Sequence, residues 1–209
     1  MKAISQIDRA LKRLYNLHSQ LQAEDFLLRF PYSSTPDQAP AGALYIQPPT
    51  ATDDSLSLGI YLNASVRDTL GTFPEWSNNW SGPQLAAFGL AAEEVSHFHY
   101  VAHHAPQGRG VSQLELEFQG EIDRFLLTFF AQKQIPFTDL MEQFFQKFQW
   151  KQGLTADEKT RYEEASRLAK AFLVKSGPLL RGEQMQDLLK ALRQFYRMSL
   201  EEKVSLATR

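Results

Sequence analysis

Helix-start signals recur along the chain from Ser81 onward, and they restrict its fold more than any other feature. A serine or threonine followed three residues later by a glutamate can form a capping box, which satisfies backbone N–H groups at the start of a helix. Such pairs begin at Ser112, Thr155 and Ser199, and Ser81 precedes a proline that suits a first helical turn. We therefore predict helices over 83–104, 112–132, 137–151, 156–175 and 183–196, with a short last helix after Ser199.

The first 30 residues carry another helical pattern. Apolar positions follow steps of three and four residues, as in the seam of a coiled coil, and Pro31 ends the pattern. One interpretation docks a helix over 3–30 on the chain's own core, and the other places it in a short coiled coil of a homodimer. Docking is favoured because the repeat covers only about three heptads. The predicted seam consists of Ile4, Ile7, Leu11, Leu14, His18 and Leu21.

Two strand-like runs, 43–47 and 56–62, lie between these helical regions. Prolines and polar residues separate them, which is typical of an antiparallel hairpin with a long turn. The flanking segments 31–42 and 63–82 are predicted to be irregular. The predicted fold class is therefore α+β, predominantly helical, with a small antiparallel β-hairpin packed against a helical bundle.

A chain of 209 residues is long enough for one domain around a sizeable core. We accordingly expect a single domain over 1–209. Its parts are an N-terminal helix (1–30), the hairpin (43–62), a helix pair (83–132) and C-terminal helices (137–209).

Charge and composition exclude several classes of function. The formal net charge of −2 favours neither nucleic acid nor an anionic membrane as a partner. The chain has no cysteine, which excludes disulfides, thiolate metal sites and cysteine nucleophiles. Charged residues interrupt the N-terminus, so no signal peptide is expected, and the longest apolar stretch, 125–131, is too short to cross a membrane. A cytoplasmic protein is predicted.

Histidines and glutamates concentrate in the helix pair 83–132. Glu93 and His97 are four residues apart, as are Glu117 and Glu121 on the following helix, so each pair shares a helix face. A short loop joins the two helices, which are therefore expected to be antiparallel neighbours with both pairs converging. Histidine and carboxylate ligands from two helices can hold Zn²⁺ or another divalent ion with an open position for water. Glu94 would lie beside that water, as a general base should.

The spacing of these residues resembles the active-site motif of gluzincin metalloproteases, the thermolysin-like class. The chain reads EEVSH over 93–97, then nineteen residues, then EFQGE over 117–121. Gluzincins have His-Glu-x-x-His on one helix, a glutamate ligand on the next, and an acidic residue four positions later that orients the first histidine. The resemblance implies that His97 and Glu117 are metal ligands and that Glu94 is the base.

The resemblance also implies that Glu121 supports the first ligand and that a sheet edge holds a peptide substrate. The chain departs from the family at that first ligand, which is Glu93 instead of histidine. One histidine and two carboxylates neutralise a divalent ion, so its bound water should be less acidic and catalysis impaired. Glu121 would face another carboxylate, and like charges at close range hold one of the two protonated.

Two other interpretations of the same residues remain open. Glu94-x-x-His97 also matches the motif of ferritin-like di-iron bundles, but those sites need the motif on two helices and the chain has it once. Alternatively, the glutamates and His97 form a structural seam without any metal, with Arg109 or Arg124 completing the charge balance. The protein would then be a non-catalytic helical module that binds a peptide or protein partner.

Overall fold

The computed structural model of the protein describes residues 1–30, 40–50, 54–73, 80–146, 154–182 and 184–209. Within these ranges the chain forms eight α-helices and one three-stranded sheet, which confirms the predicted, predominantly helical α+β fold. The strands are β1 (Leu27–Leu28), β2 (Gly42–Gln47) and β3 (Ser57–Leu62). The helices are α1 (Lys2–Tyr15), α2 (Ala64–Gly71), α3 (Gly82–His104), α4 (Gln113–Ala131), α5 (Phe137–Phe145), α6 (Ala156–Arg181), α7 (Met185–Arg197) and α8 (Leu200–Thr208).

The N-terminal helix α1 is half as long as predicted. It ends at Tyr15 because Asn16 adopts the left-handed conformation, with φ of 52°, and donates its N–H to the carbonyl of Lys12. The expected extension to residue 30 is therefore wrong, and Leu21 is 41 % exposed. The apolar residues of the seam that lie within α1 are all buried in the chain's own core, as the docking interpretation predicts: Ile4, Ile7, Leu11 and Leu14.

The predicted hairpin is present, and a third strand joins it. β2 and β3 pair antiparallel over their whole length, from Gly42 opposite Leu62 to Gln47 opposite Ser57. β1 pairs with β3 in parallel, so the strand order is β1-β3-β2 and the sheet is mixed. A two-residue strand gives no alternation pattern to detect. β2 is left at one edge of the sheet.

Helix α2 lies inside the segment that was predicted to be irregular, so that prediction is wrong for Ala64–Gly71. Asn63 caps this helix by accepting a hydrogen bond of 2.9 Å from the N–H of Val66. The remainder of the predicted irregular regions includes 31–39 and 74–79, which lie outside the described residues.

The long helices α3 and α4 pack against each other as an antiparallel pair. Residues near the start of α3 meet the end of α4, as Gly89 does with Arg124, and residues near its end meet the start of α4, as Tyr100 does with Glu115. Ser112 caps α4, but the side chain of Glu115 does not complete the predicted capping box. Its carboxylate instead accepts a hydrogen bond of 2.5 Å from the hydroxyl of Tyr100.

The C-terminal helices surround this pair. The capping boxes at Thr155 and Ser199 form as predicted. α6 runs six residues beyond its predicted end at 175, because buried apolar residues continue to Leu180. Residues 147–151, predicted to extend α5, fall in a segment outside the described residues. The buried core joins side chains from every helix and from β3. No helix among the described residues has the length and apolarity needed to cross a membrane.

Candidate metal centre

The two polar helix faces meet between α3 and α4. Glu93, Glu94, His97 and Glu121 are buried, and the side chain of Glu117 is 13 % exposed. One potential ligand atom from each of Glu93, His97 and Glu117 lies within 4.8 Å of the other two. The predicted ligand set is therefore brought together, and the group can hold a metal ion.

Gly120 on α4 allows this close approach. A Cβ atom at that position would lie 2.7 Å from Nε2 of His97 and 3.4 Å from Cγ of Glu93. Any larger residue would therefore displace side chains that form the group. Gly42 on β2 has a similar role towards α3, because a Cβ there would lie 3.2 Å from Cγ of Glu94.

The imidazole of His97 lies among three carboxylates. Its Nδ1 is 3.6 Å from Oε2 of Glu94, and its Nε2 is 4.0 Å from Oε2 of Glu117. Burial by itself would lower the pKa of His97, but the carboxylates of Glu94, Glu117 and Glu93 outweigh it and raise the pKa to about 9. The metal-free protein therefore holds His97 as an imidazolium at neutral pH.

Among the described residues, one buried atom of His97 and one of Glu94 lack a hydrogen bond. Nε2 of His97 and Oε2 of Glu94 have no partner within hydrogen-bond distance among the described residues. Buried polar atoms are normally satisfied, so each exception needs an explanation. A bound ion would provide one for Nε2, the nitrogen that lies towards Glu117.

Arg124 connects the carboxylates of Glu93 and Glu121. Its Nη2 donates to both oxygens of Glu121, at 2.9 and 2.8 Å, and its Nη1 lies 3.6 Å from Oε2 of Glu93. Burial alone would lower the pKa of Arg124, but these two carboxylates raise it. The resemblance to gluzincins implied that Glu121 would face another carboxylate, with one of the two held protonated. The structure places the guanidinium of Arg124 between the two acids, which compensates their charge.

The arginine is itself held in position. Its Cζ lies 5.2 Å from the ring centre of Phe144 on α5, a cation–π contact. Gly89 on α3 makes room for its stem, because a Cβ there would lie 3.2 Å from Cδ of Arg124. Gly89, Arg124 and Glu121 thus form a supporting layer beside the candidate ligands.

Arg109, the other arginine considered for the charge balance, belongs to a different cluster. Its guanidinium pairs with Glu115, donates to the carbonyl of Met198 at 2.9 Å and lies 3.1 Å from ring nitrogens of His104. The sequence prediction missed this because Glu115 was interpreted only as a capping residue. Of the two arginines, Arg124 is the one that balances the charge of Glu93 and Glu121.

Two of the other histidines on α3 also have partners away from the ligand group. Nε2 of His99 is 2.9 Å from Oδ1 of Asp8 on α1, and Nε2 of His104 is 3.2 Å from the carbonyl of Tyr196 on α7. Burial and, to a smaller extent, Arg109 lower the pKa of His104 to about 4. These histidines join helices, and His97 is the one directed at the carboxylates of the ligand group.

A cleft of about 350 Å³ opens onto the ligand group. It is lined by residues of β2, α3, α4 and the first turns of α6. In the described part of the chain no strand pairs with the outer edge of β2. No local sequence signal pointed to the contribution of α6, because it depends on long-range packing. The polar residues lining the cleft are Glu93, Glu94, His97, Gln113, Glu117, Glu158, Arg161 and Tyr162.

Comparison with known proteins gives no significant match to a protein-family model, to a curated protein or to a solved structure.

Proposed function

We propose that the protein binds a divalent metal ion, zinc or a chemically similar ion, through Glu93, His97 and Glu117. The observation that carries this proposal is the grouping of their ligand atoms within 4.8 Å, together with a buried Nε2 of His97 that has no hydrogen bond. Ligands of a tetrahedral zinc ion lie about 3.4 Å apart. Movements of the ligand atoms by about 1 Å would close the group around an ion.

A purely structural seam explains these residues less well. Arg124 does balance Glu93 and Glu121 without any metal. A seam kept only for stability would also satisfy its remaining buried atoms, yet Nε2 of His97 and Oε2 of Glu94 have no hydrogen bond among the described residues. Both atoms belong to residues that line the cleft.

We further propose that the bound ion serves the hydrolysis of an amide bond. A bound ion would supply an activated water beside Glu93, His97 and Glu117. Glu94, which lines the same cleft, would accept a proton from that water and return it to the departing amine when the C–N bond breaks. The outer edge of β2, with which no strand pairs in the described residues, offers backbone hydrogen bonds to an extended peptide in the cleft.

Metal analysis of the purified protein tests the proposal. After incubation with Zn²⁺ and removal of excess ion, we expect about one bound ion per chain. Glu117→Gln should weaken binding by more than about 100-fold, because it removes an anionic ligand while keeping the side-chain shape. The matched control is Glu163→Gln, an exposed glutamate of α6. Equal metal content in both variants and the wild type would refute the proposed ligand set.

Metal affinity should also depend on pH in a defined direction. The pKa of His97 is raised to about 9 in the metal-free protein, so an ion must displace a proton from this imidazole. Affinity should therefore increase about tenfold for each pH unit from about 6.5 to 8.5, with release of about one proton per ion. Competition with a chelator of known affinity measures this slope. An affinity independent of pH over that range would exclude His97 as a ligand.

A further inference from the structure

The cleft contains one cation that the proposed chemistry does not use. Arg161 lies on α6 and lines the same cleft as the ligand group. Its Nε is buried and has no hydrogen-bond partner in the described residues. Buried N–H groups normally have an acceptor. The Nε–H of Arg161, a residue that lines the cleft, therefore has donor capacity available.

The acid of α6 that also lines the cleft has other partners. Glu158 lies one turn before Arg161, and its Oε2 accepts hydrogen bonds of 2.8 Å from both the N–H and the hydroxyl of Thr155. These bonds complete the capping box of α6. Arg161 and Glu158 attract each other electrostatically, but they form no ion pair within 4.0 Å in the described ranges. The Nε–H of Arg161 thus remains available for another group.

The other acids of the cleft are also engaged. Glu93 contacts Arg124, and both Glu94 and Glu117 lie next to His97. The guanidinium of Arg161 lies 5.7 Å from the ring centre of Tyr162, a contact that helps to position it. An otherwise acidic cleft would repel an anionic ligand, and Arg161 provides one place where such a ligand is favoured.

We propose that Arg161 binds a carboxylate of the substrate, so that the preferred substrates are peptides carrying a carboxylate near the bond that is cleaved. This inference rests on the proposed metal-dependent hydrolysis. Guanidinium groups match carboxylates in shape, because two parallel N–H groups can donate to two oxygens. The carboxylate can belong to the C-terminus of the peptide or to an aspartate or glutamate side chain.

A pair of metal-binding probes tests the proposal without requiring turnover. Succinic acid monohydroxamate carries a carboxylate, and its terminal amide counterpart is neutral and nearly the same size. With the Co²⁺-loaded protein, whose visible spectrum reports ligand binding, we expect the acid to bind at least about tenfold more tightly than the amide. Arg161→Gln should remove this preference. The control Arg167→Gln, an exposed arginine of α6 paired with Glu164, should retain it.

The result distinguishes the two proposals. A protein that takes up no metal would overturn the proposed function and this inference with it. A protein that binds Co²⁺ and both hydroxamates equally, with or without Arg161, would overturn the carboxylate site alone. Hydrolysis of matched peptides then identifies the source of the carboxylate. If Arg161 binds the terminal carboxylate, amidation of the peptide C-terminus should raise KM in the wild type but not in Arg161→Gln. If Arg161 binds a side chain, exchanging glutamate for glutamine in the peptide should give the same pattern.

Discussion

Glu94→Gln should abolish peptide hydrolysis while leaving the metal in place. The amide cannot accept a proton from the metal-bound water, and general-base catalysis contributes about 10²- to 10⁴-fold to such reactions. We therefore expect kcat to fall by about that factor, with little change in KM. Metal content and turnover of a mixture of quenched fluorescent peptides, measured on the same preparation, check both parts.

The control for Glu94→Gln is Glu163→Gln, which alters an exposed carboxylate of α6. The two possible failures have different meanings. Full activity in Glu94→Gln would exclude this residue as the base. Loss of metal in Glu94→Gln would instead mean that Glu94 acts through His97, whose Nδ1 lies 3.6 Å from its carboxylate.

Arg124→Met should destabilise the protein more than any other substitution near the site. Methionine preserves most of the apolar stem but removes the charge that compensates Glu93 and Glu121, both of which are buried. Breaking one side of a buried ion pair costs about 3–5 kcal/mol. Chemical denaturation of the metal-free protein at neutral pH measures this change in the free energy of unfolding.

Two further variants define what the loss in Arg124→Met means. Arg167→Met breaks an exposed pair with Glu164 on α6 and should cost less than about 1 kcal/mol. Adding Glu121→Gln to Arg124→Met should restore part of the lost stability, because it removes one of the uncompensated carboxylates. If Arg124→Met and Arg167→Met were equally mild, Arg124 would have no role in supporting the ligands.

Local sequence patterns predicted most of the helices and the meeting of the two polar faces. Capping residues such as Ser81 and Thr155 mark where helices begin, and spacings of four residues place Glu93 beside His97 and Glu117 beside Glu121. These patterns act over one or two helical turns, so they remain visible without knowledge of the fold. The end of α1 was missed because a single left-handed residue, Asn16, overrides a continuing apolar repeat.

The residues that surround and support the polar faces of α3 and α4 depend on long-range packing. Gly120 matters only because His97 from another helix occupies the space that a Cβ would fill. Arg109 and Arg124 were equivalent candidates in sequence. The structure separates them, because Arg109 pairs with Glu115 and Arg124 pairs with Glu121. Arg161 enters the cleft only once α6 packs across α4. Spacing alone therefore predicted which candidate ligands would meet, but not the packing that holds them together.

A crystal structure of the zinc-soaked protein, with anomalous scattering recorded at the zinc absorption edge, tests the central claim most directly. We expect one strong anomalous peak between α3 and α4, with Nε2 of His97 and one oxygen each of Glu93 and Glu117 about 2.0–2.2 Å from it. Arg124 should still contact Glu121. A site that stays empty at saturating zinc, or a peak bound by other residues, would contradict the account.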